Sequence, residues 1–537
     1  MSADIVSATC PLPAIVDAMA GNTSSILRFR RRGVPTSVSY DRCWFDVHLL
    51  ATALSSRGIG TGTRVAIHGA TSYEWVLADL ACVRTGAVSV ALYASAPPQR
   101  VLDAAMESRC RLIFTDRADA VPLFRAAGLD VLFLDSEQES PEGTVGVSTL
   151  LDKIGDTGRR SAAPRHGPFT IVSTSGTLAE PKLFAVAAAS LMFTMDRFAE
   201  IYGISGRDRL LLYLPLSHLP QRMMLYWGLG AEMDFVLSDP AHIVADGAHQ
   251  PTLHVTVPRV LEYLHRRVVN AVQRAGADSP GARADAYRQA FGPAIRSIFV
   301  GSAPTDPALM AELLAAGLPV FEVYGTTELG MIGLNTPTHR RPGTVGRPIP
   351  WGQVRLDPDT REIQVRTPTP FLYGRLVDGY VEPHQWAPER FEPTADVGEY
   401  DDGYLVVRGR LRDFLVLSSG EKVFARPIET AVERECGAGM SQLVKLADGR
   451  LGVLLFFADG GDVDEADLVD RLQRVSRSLH PWERPKAYAI IGRMPTVEEG
   501  CLTETTKPRR HAIEGVHGRT ARWLPLGSRK AAPIGTE

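Results

Sequence analysis

The chain has 537 residues, more than one core organises, so two or more domains are expected. Hydrophobic content of 45% and charged content of 22% are ordinary for a globular enzyme, and a net charge of -3 with scattered arginines argues against nucleic acid or an anionic membrane as partner. Six cysteines (Cys10, Cys43, Cys82, Cys110, Cys436, Cys501) lie far apart without CxxC spacing, which argues against zinc sites and a disulfide framework and for a reducing compartment.

The start, MSADIVSATCPLP, lacks a basic n-region and apolar core, so a signal peptide is not expected, and no apolar run is long enough for a bilayer span. A cytoplasmic protein is the expectation. SVSYDRCWFD (37–46) alternates and then turns helical through Val47 to Ser56. Strands are expected at 64–70, 87–93 and 111–116, with helices at 73–86 and 97–110 between them. This alternation with short glycine-containing loops predicts parallel α/β layers. Trp75 reads as a packed helix residue.

The segment 137–168, rich in Ser, Gly, Asp and Pro, reads as a surface connection. Phe169 to Val172 is a buried strand that empties into Ser173-Thr174-Ser175-Gly176-Thr177-Leu178-Ala179-Glu180-Pro181-Lys182, and a long helix starts near Ala187. Hydroxyls, backbone N–H groups and an ammonium group gathered this way suit a polyphosphate, although such a loop also serves as a plain strand–helix connection. Residues 210–220 form a strand whose loop carries His218, either a structural histidine or a pocket group. Strands at 253–257 and 295–300 follow, the second running into the backbone-exposing turn Gly301-Ser302-Ala303-Pro304. Val320 to Tyr324 is another strand, ending in Gly325-Thr326-Thr327-Glu328. From Val345 to Arg408 short strands and turns (EIQVR, GYLVV) predict a β-rich subdomain. After the charged junction GRLRD (409–413), a smaller unit has strands at 451–459 and 487–492 and an amphipathic helix at 464–479, and the last residues have little to bury.

In this order the motifs resemble the adenylate-forming superfamily of acyl-CoA synthetases, nonribosomal adenylation domains and luciferases, from about Ser37 to Arg510. The 173–182 loop resembles the family's phosphate loop T-S-G-T-T-G-x-P-K-G, which makes Thr174, Ser175, Gly176, Thr177 and Lys182 candidate nucleotide contacts, with Gly301, Ser302 and Ala303 beside them. Tyr324 to Glu328 is similar to Y-G-x-T-E, whose tyrosine stacks near adenine and whose glutamate helps hold magnesium. Gly325 and Thr326 join the nucleotide contacts, and Thr327 and Glu328 the catalytic candidates. Thr394-Ala395-Asp396 resembles T-G-D, whose carboxylate takes the ribose hydroxyls. Gly409 to Asp413 resembles G-R-x-K/D-D, which implies a ribose contact for Arg410 and a hinge at Arg412. LSSGEKVFARPIE (417–429) and LTETTKPRR (502–510) are similar to the long-chain acyl-CoA synthetase branch, with Lys507 as the adenylation lysine. His218 resembles the residue at the mouth of the family's acyl pocket. Tyr226, Trp227 and Gly228-Leu229-Gly230 either shape that pocket or are packed helix.

The resemblance implies an α/β fold with a large N-terminal domain (1–411) of layered α/β subdomains plus a β-rich subdomain, and a small mobile α+β C-terminal domain (412–537). It implies an acyl-CoA ligase that converts a carboxylic acid, ATP and coenzyme A to acyl-CoA, AMP and pyrophosphate through an acyl-adenylate, with Mg2+ on Glu328. A large apolar acid is expected, and a secondary-metabolite (antibiotic-type) acid is plausible. Asp396 can accept two hydrogen bonds from a vicinal diol and Arg410 can donate to the same sugar. Magnesium and cations offset the charge of the phosphoryl transition state.

The phosphate loop departs from the pattern: Leu178 replaces a small hydroxyl residue, Ala179 a glycine, and Leu183 the glycine after the lysine. Leu178 removes a donor, and Ala179 adds a Cβ where the backbone approaches phosphate or adopts φ > 0. Two readings stay open. Either the loop still works through Thr174, Ser175, Thr177 and Lys182, or adenylation is weak or lost and thioesterification of an acyl-adenylate (ATP or acyl-AMP as ligand) is retained, with a partner ligase supplying the adenylate. Loading of a carrier-protein phosphopantetheine and non-catalytic acyl-adenylate binding are the alternatives.

Overall fold

The computed structural model describes residues 10–153, 167–174, 182–276, 278–411, 413–417, 421–458, 464–503 and 507–526. Two nine-stranded sheets dominate it. The first runs, in spatial order, Tyr380–Pro383, Leu372–Val377, Lys182–Val186, Thr170–Thr174, Val88–Tyr93, Arg64–Gly69, Leu112–Thr115, Asp130–Phe133, Val145–Gly146. From Thr170–Thr174 to Val145–Gly146 its ladders are parallel. The second runs Arg347–Pro348, Gly330–Leu334, Val320–Thr326, Ser297–Val300, Leu253–Thr256, Arg209–Leu212, Asp234–Leu237, Ile26–Arg31, Val34–Ser39. It too is parallel in the middle, with an antiparallel hairpin at each end. The parallel strands are buried on both faces, which is why they read as continuous apolar runs. The fold is thus the mixed α/β class expected.

Several helices begin at capping side chains. Ser39 accepts from the N–H of Arg42 to start Tyr40–Ser56, and Ser72 accepts from Trp75 to start Tyr73–Thr85, which Gly86 closes at φ 78. The alternation at 37–46 therefore divides: its first residues belong to the hairpin strand Val34–Ser39, and the helix starts at Tyr40, earlier than expected. The connection 137–168 also holds more structure than expected, since Val145–Gly146 adds an edge strand and Val147–Lys153 is helical.

Between the two sheets Arg222 is wholly buried. It donates to Asp79 Oδ1 (2.7 Å), Tyr226 Oη (2.6 Å), Ser89 Oγ (3.1 Å) and Thr170 Oγ1 (3.1 Å), and its guanidinium lies 5.2 Å from the Trp75 ring. A buried pair this well bonded is weak evidence of net stability, but removing one partner strands a charge in the core. Ser89 and Thr170 belong to one sheet and Arg222 to a helix under the other, so the network ties the layers.

The β-rich unit is a four-stranded antiparallel sheet, Gln353–Leu356, Glu362–Arg366, Glu392–Asp401, Tyr404–Arg410. Beyond it, Phe414–Val416 pairs with Lys422–Phe424, and Met440–Lys445, Leu451–Phe456, Ala487–Ile491 and Leu524–Pro525 form a separate sheet. Helices Ala425–Cys436 and Glu465–Arg477 pack on it through Ile428, Val432, Leu468 and Leu472.

Candidate active site

Three strands of the second sheet deliver the site's loops at their C-terminal ends, where open α/β sheets place ligands. The loop after Arg209–Leu212 ends at His218, which opens the helix Leu219–Gly230. The loop after Ser297–Val300 is the turn Gly301–Thr305 with Ser302 at φ 71, and the hairpin turn after Val320–Thr326 carries Thr327 and Glu328. Ser302 Oγ lies 3.1 Å from His218 Nε2, joining two of these loops. Burial first, then the charge of Lys507, pushes the His218 imidazole down to about 4, so it is neutral at pH 7.

The hairpin Glu392–Asp401 and Tyr404–Arg410 sets Asp396 opposite Arg410, with 3.3 Å between Oδ1 and Nε. Tyr324 Oη donates to the other oxygen, Oδ2, at 2.7 Å. Asp396 is 7% exposed, and burial raises its pKa against the opposing pull of Arg410, Tyr324 and Lys507. Ala395 sits at φ 60, the conformation a glycine takes without cost. Its N–H donates to Glu362 Oε1 (2.8 Å) and its carbonyl accepts from Leu411 (2.8 Å), which holds the turn in place.

Lys507 comes from the C-terminal unit. Its N–H donates to Thr503 Oγ1 (2.9 Å) and its carbonyl accepts from the N–H of Thr503 (2.8 Å), so the residues flanking 504–506 form a tight neck. Burial, then the charge of Arg410, pushes the ammonium down to about 8, with Asp396 and Glu328 acting in the opposite sense. Lys507, Asp396, Arg410, Glu328 and His218 therefore share one electrostatic environment, although nearly 300 residues of sequence separate the outermost two. Glu328 and Thr327 are both half-buried.

The structure also relocates some candidates. Gly228 is closely packed, since a Cβ there would stand 2.6 Å from the Phe235 ring. Tyr226 belongs to the Arg222 network, and Trp227 Nε1 donates to Asp196 (2.9 Å) on the neighbouring helix. Gly301 is likewise held close, 2.8 Å separating its Cβ position from the Val323 carbonyl, whereas Ser302 and Ala303 are exposed. Gly325 lies in the hairpin with room for no side chain, since a Cβ would meet the Gly330 carbonyl at 2.3 Å, and Thr326 Oγ1 accepts from Leu329 (3.1 Å) to close the turn.

Thr174 pairs with Lys182 as two antiparallel strands leave and re-enter the sheet, so the phosphate-loop segment spans a hairpin, not a strand–helix junction. Ser175, Gly176, Thr177, Leu178 and Ala179 lie outside the described residues, as does Arg412. Leu183 is described, and it corrects one of the departures. It pairs with Ser173, is 1% exposed, and packs with Ile171, Ala185 and Val90. It is a core residue, not a defect in a phosphate cradle.

Sequence reasoning missed Glu322, a buried carboxyl that accepts from the N–H of Thr305 (3.0 Å) and fixes the Gly301–Thr305 turn. Burial pushes it up to about 7. A lone acid in the apolar strand VFEVY was the available signal.

Tyr324, Asp396 and Arg410 thus meet in one cluster, and Lys507 of the C-terminal unit shares their electrostatic environment. The profile of the family described as AMP-binding enzyme matches residues 17–375, and the chain belongs to that family, in its acyl-CoA-synthetase-like branch of adenylate-forming enzymes. It is 26% identical over 554 residues to the long-chain-fatty-acid–CoA ligase FadD15 of Mycobacterium bovis, covering 90% of this chain and 91% of the relative. It is 26% identical over 513 residues to the indoleacetate–CoA ligase of Aromatoleum aromaticum, covering 88% and 92%. Among solved structures, the anthranilate CoA ligase AuaEII in complex with anthranoyl-AMP superposes with a TM-score of 0.78 at 16% identity, covering 94% of this chain and 96% of that one, which shows the shared fold. No helix among the described residues is long and apolar enough to cross a membrane.

Proposed function

We propose that the protein is an acyl-CoA ligase that joins a carboxylic acid to coenzyme A through an acyl-adenylate. The observation that carries this reading is the convergence of Tyr324, Asp396, Arg410, Glu328 and Lys507. Asp396 and Arg410 would hold the ribose and Tyr324 would face the adenine. Glu328, one carboxylate beside a threonine hydroxyl in a half-buried turn, suits Mg2+, which takes one or two carboxylates plus phosphate oxygens. Bound there, the ion would offset phosphate charge. Lys507 would place its ammonium on the oxygens that gain charge when the acid attacks the α-phosphate. Thr174 and Lys182, paired at the mouth of the hairpin loop, would flank the outer phosphates. His218, neutral and bonded to Ser302, is suited to the mouth of the acyl pocket, where it would orient the acid or the incoming thiol.

The acid is taken to be large and apolar, in line with relatives named for long-chain and aryl acids. The electrostatic environment that Lys507 shares with Arg410 and Asp396 supports a role in adenylation, and thioester formation would follow rotation of residues 412–537 about Arg412.

A second reading rests on Leu178, Ala179 and Ala395, where the family pattern has small or glycine residues. In it adenylation is weak or lost, a partner ligase supplies the adenylate, and the chain performs the thiol step. Free acid with ATP, Mg2+ and coenzyme A in one reaction, and synthetic acyl-AMP with coenzyme A in another, separate the readings. Turnover of acyl-AMP far above that of free acid supports the second, and equal turnover removes it. Inertness in both, with adenylates of a long-chain and an aryl acid, would sink the ligase reading.

A further inference from the structure

Spacing alone argued against metal at the six isolated cysteines, but the fold brings one of them beside a histidine and a carboxylate. Glu499, Cys501 and His517 lie in the C-terminal unit with one ligand atom of each within 4.8 Å of the others. Cys501 is fully buried and His517 is 4% exposed. His517 Nε2 has no hydrogen-bond partner among the described residues, and the nearest carboxylate oxygen, Glu499 Oε2, is 3.9 Å away. That gap is too long for a hydrogen bond, and a buried imidazole nitrogen without a partner calls for a ligand.

We propose that Glu499, Cys501 and His517 bind a divalent transition metal, with zinc the best-suited ion, and that the ion fastens the base of the Lys507 neck. The donor set, one thiolate, one imidazole and one carboxylate, matches the borderline softness of zinc and leaves a fourth tetrahedral position for water. Zinc bonds of about 2.0–2.3 Å put tetrahedral ligands roughly 3.3–3.8 Å apart, so the three side chains need move by about 1 Å at most. The rest of the site is built to hold them. Glu499 is anchored from two sides: Arg493 pairs with Oε1, while Oε2, which faces His517, accepts the N–H of Thr496 (3.2 Å) and keeps a lone pair for a metal. The N–H of Glu499 returns to Thr496 Oγ1 (3.2 Å). His517 rides a π-helical turn, Glu514–Gly518, a geometry that often marks functional sites, and the edge of Phe456 meets its ring at 5.2 Å. Glu499 is only half-buried, which gives the ion an entry path. Two anionic ligands cancel the ion's charge despite the nearby Arg493.

The position gives the site a consequence. The Cys501 carbonyl accepts from the N–H of Arg509 (2.8 Å), Leu502 bridges to Pro508, and Thr503 bonds to Lys507. Cys501 is thus where the two strands of the neck are joined, and a metal bond there would rigidify the support of Lys507.

The test uses the full-length protein, stripped with a chelator and titrated with Co2+. The wild type should take up a single Co2+ with a thiolate-to-cobalt charge-transfer band in the near ultraviolet and intense four-coordinate visible bands, both displaced by Zn2+. Cys501→Ser should lose the charge-transfer band and His517→Gln the intense visible bands, with metal-free thermal midpoints close to the wild type's. Zn2+ should raise the midpoint of the wild type alone. Absence of the charge-transfer band in the wild type, or its persistence in Cys501→Ser, overturns the proposal. Should one variant fail to fold, the other and the wild-type titration still decide it.

Discussion

Ala395 stands at φ 60 between two residues whose positions matter, Thr394 with its hydroxyl on the Ile363 carbonyl (2.8 Å) and Asp396 at the candidate ribose contact. A residue with a Cβ at that φ costs roughly 1 kcal/mol or more relative to glycine. Ala395→Gly should therefore raise stability by about 0.5–1 kcal/mol, read as a higher urea midpoint at unchanged slope, even though glycine loosens the unfolded chain. A lower midpoint would show that the turn tolerates alanine without strain. Leu183 calls for the opposite expectation. Restoring the family glycine there deletes a buried leucine, so Leu183→Gly should cost about 2–5 kcal/mol in stability and give no gain in ATP–pyrophosphate exchange. Any repair of the loop belongs at Leu178→Thr and Ala179→Gly, and exchange that rises only when Leu183→Gly is added would refute this division.

At the scale of elements, the strand Val320–Thr326 shows how support is built behind a site. Glu322 points from it into the core and caps the Gly301–Thr305 turn, with its carboxyl pushed from 4.5 up to about 7 by burial. Because the folded form keeps this proton across the window that the unfolded chain has already passed, stability attributable to Glu322 falls as pH rises from about 4.5 to 7, by about 3 kcal/mol in all. Glu322→Gln keeps the acceptor and removes the titration. Its stability relative to the wild type should rise by about 2–3 kcal/mol between pH 5 and pH 8, measured by urea unfolding at both; a constant difference would mean that Glu322 is not protonated on folding. The strands themselves were legible because both faces are buried, as in 64–69 and 297–300, which leaves unbroken apolar runs. The hairpin Ile26–Ser39 was not, since the short Leu27/Phe29 alternation of its inner strand is interleaved with and followed by arginines that pair with Asp234, Asp246 and Glu74, and its edge strand Val34–Ser39 has no fully buried residue. In the candidate site, ordered motifs pointed to Asp396, Arg410, Tyr324 and Lys507, which the fold brings into one environment. Glu322 and Glu362 act through backbone N–H groups, and nothing in the spacing of a sequence marks that role.

The whole molecule bears on the proposed chemistry at Lys507, because its setting depends on two units meeting. Its ammonium is pushed from 10.5 down to about 8 by burial and by Arg410, a shift that an undocked lysine would not have. The charged form is present below about pH 8 and is lost above it. Adenylation, which needs that charge on the phosphate oxygens, should therefore fall off with an apparent pKa near 8 in ATP–pyrophosphate exchange. Thioesterification from acyl-AMP should not follow the same limb, because the proposed rotation carries Lys507 away from the adenylate. Lys507→Arg keeps a charge through the whole range, so whatever exchange it retains should be flat across that limb, and Lys507→Ala should lose exchange by about 100-fold or more while leaving acyl-AMP turnover within a few fold of the wild type. A shared pH limb in both half-reactions would place Lys507 at the adenylate throughout the cycle, and the two-position account of this molecule would have to be abandoned.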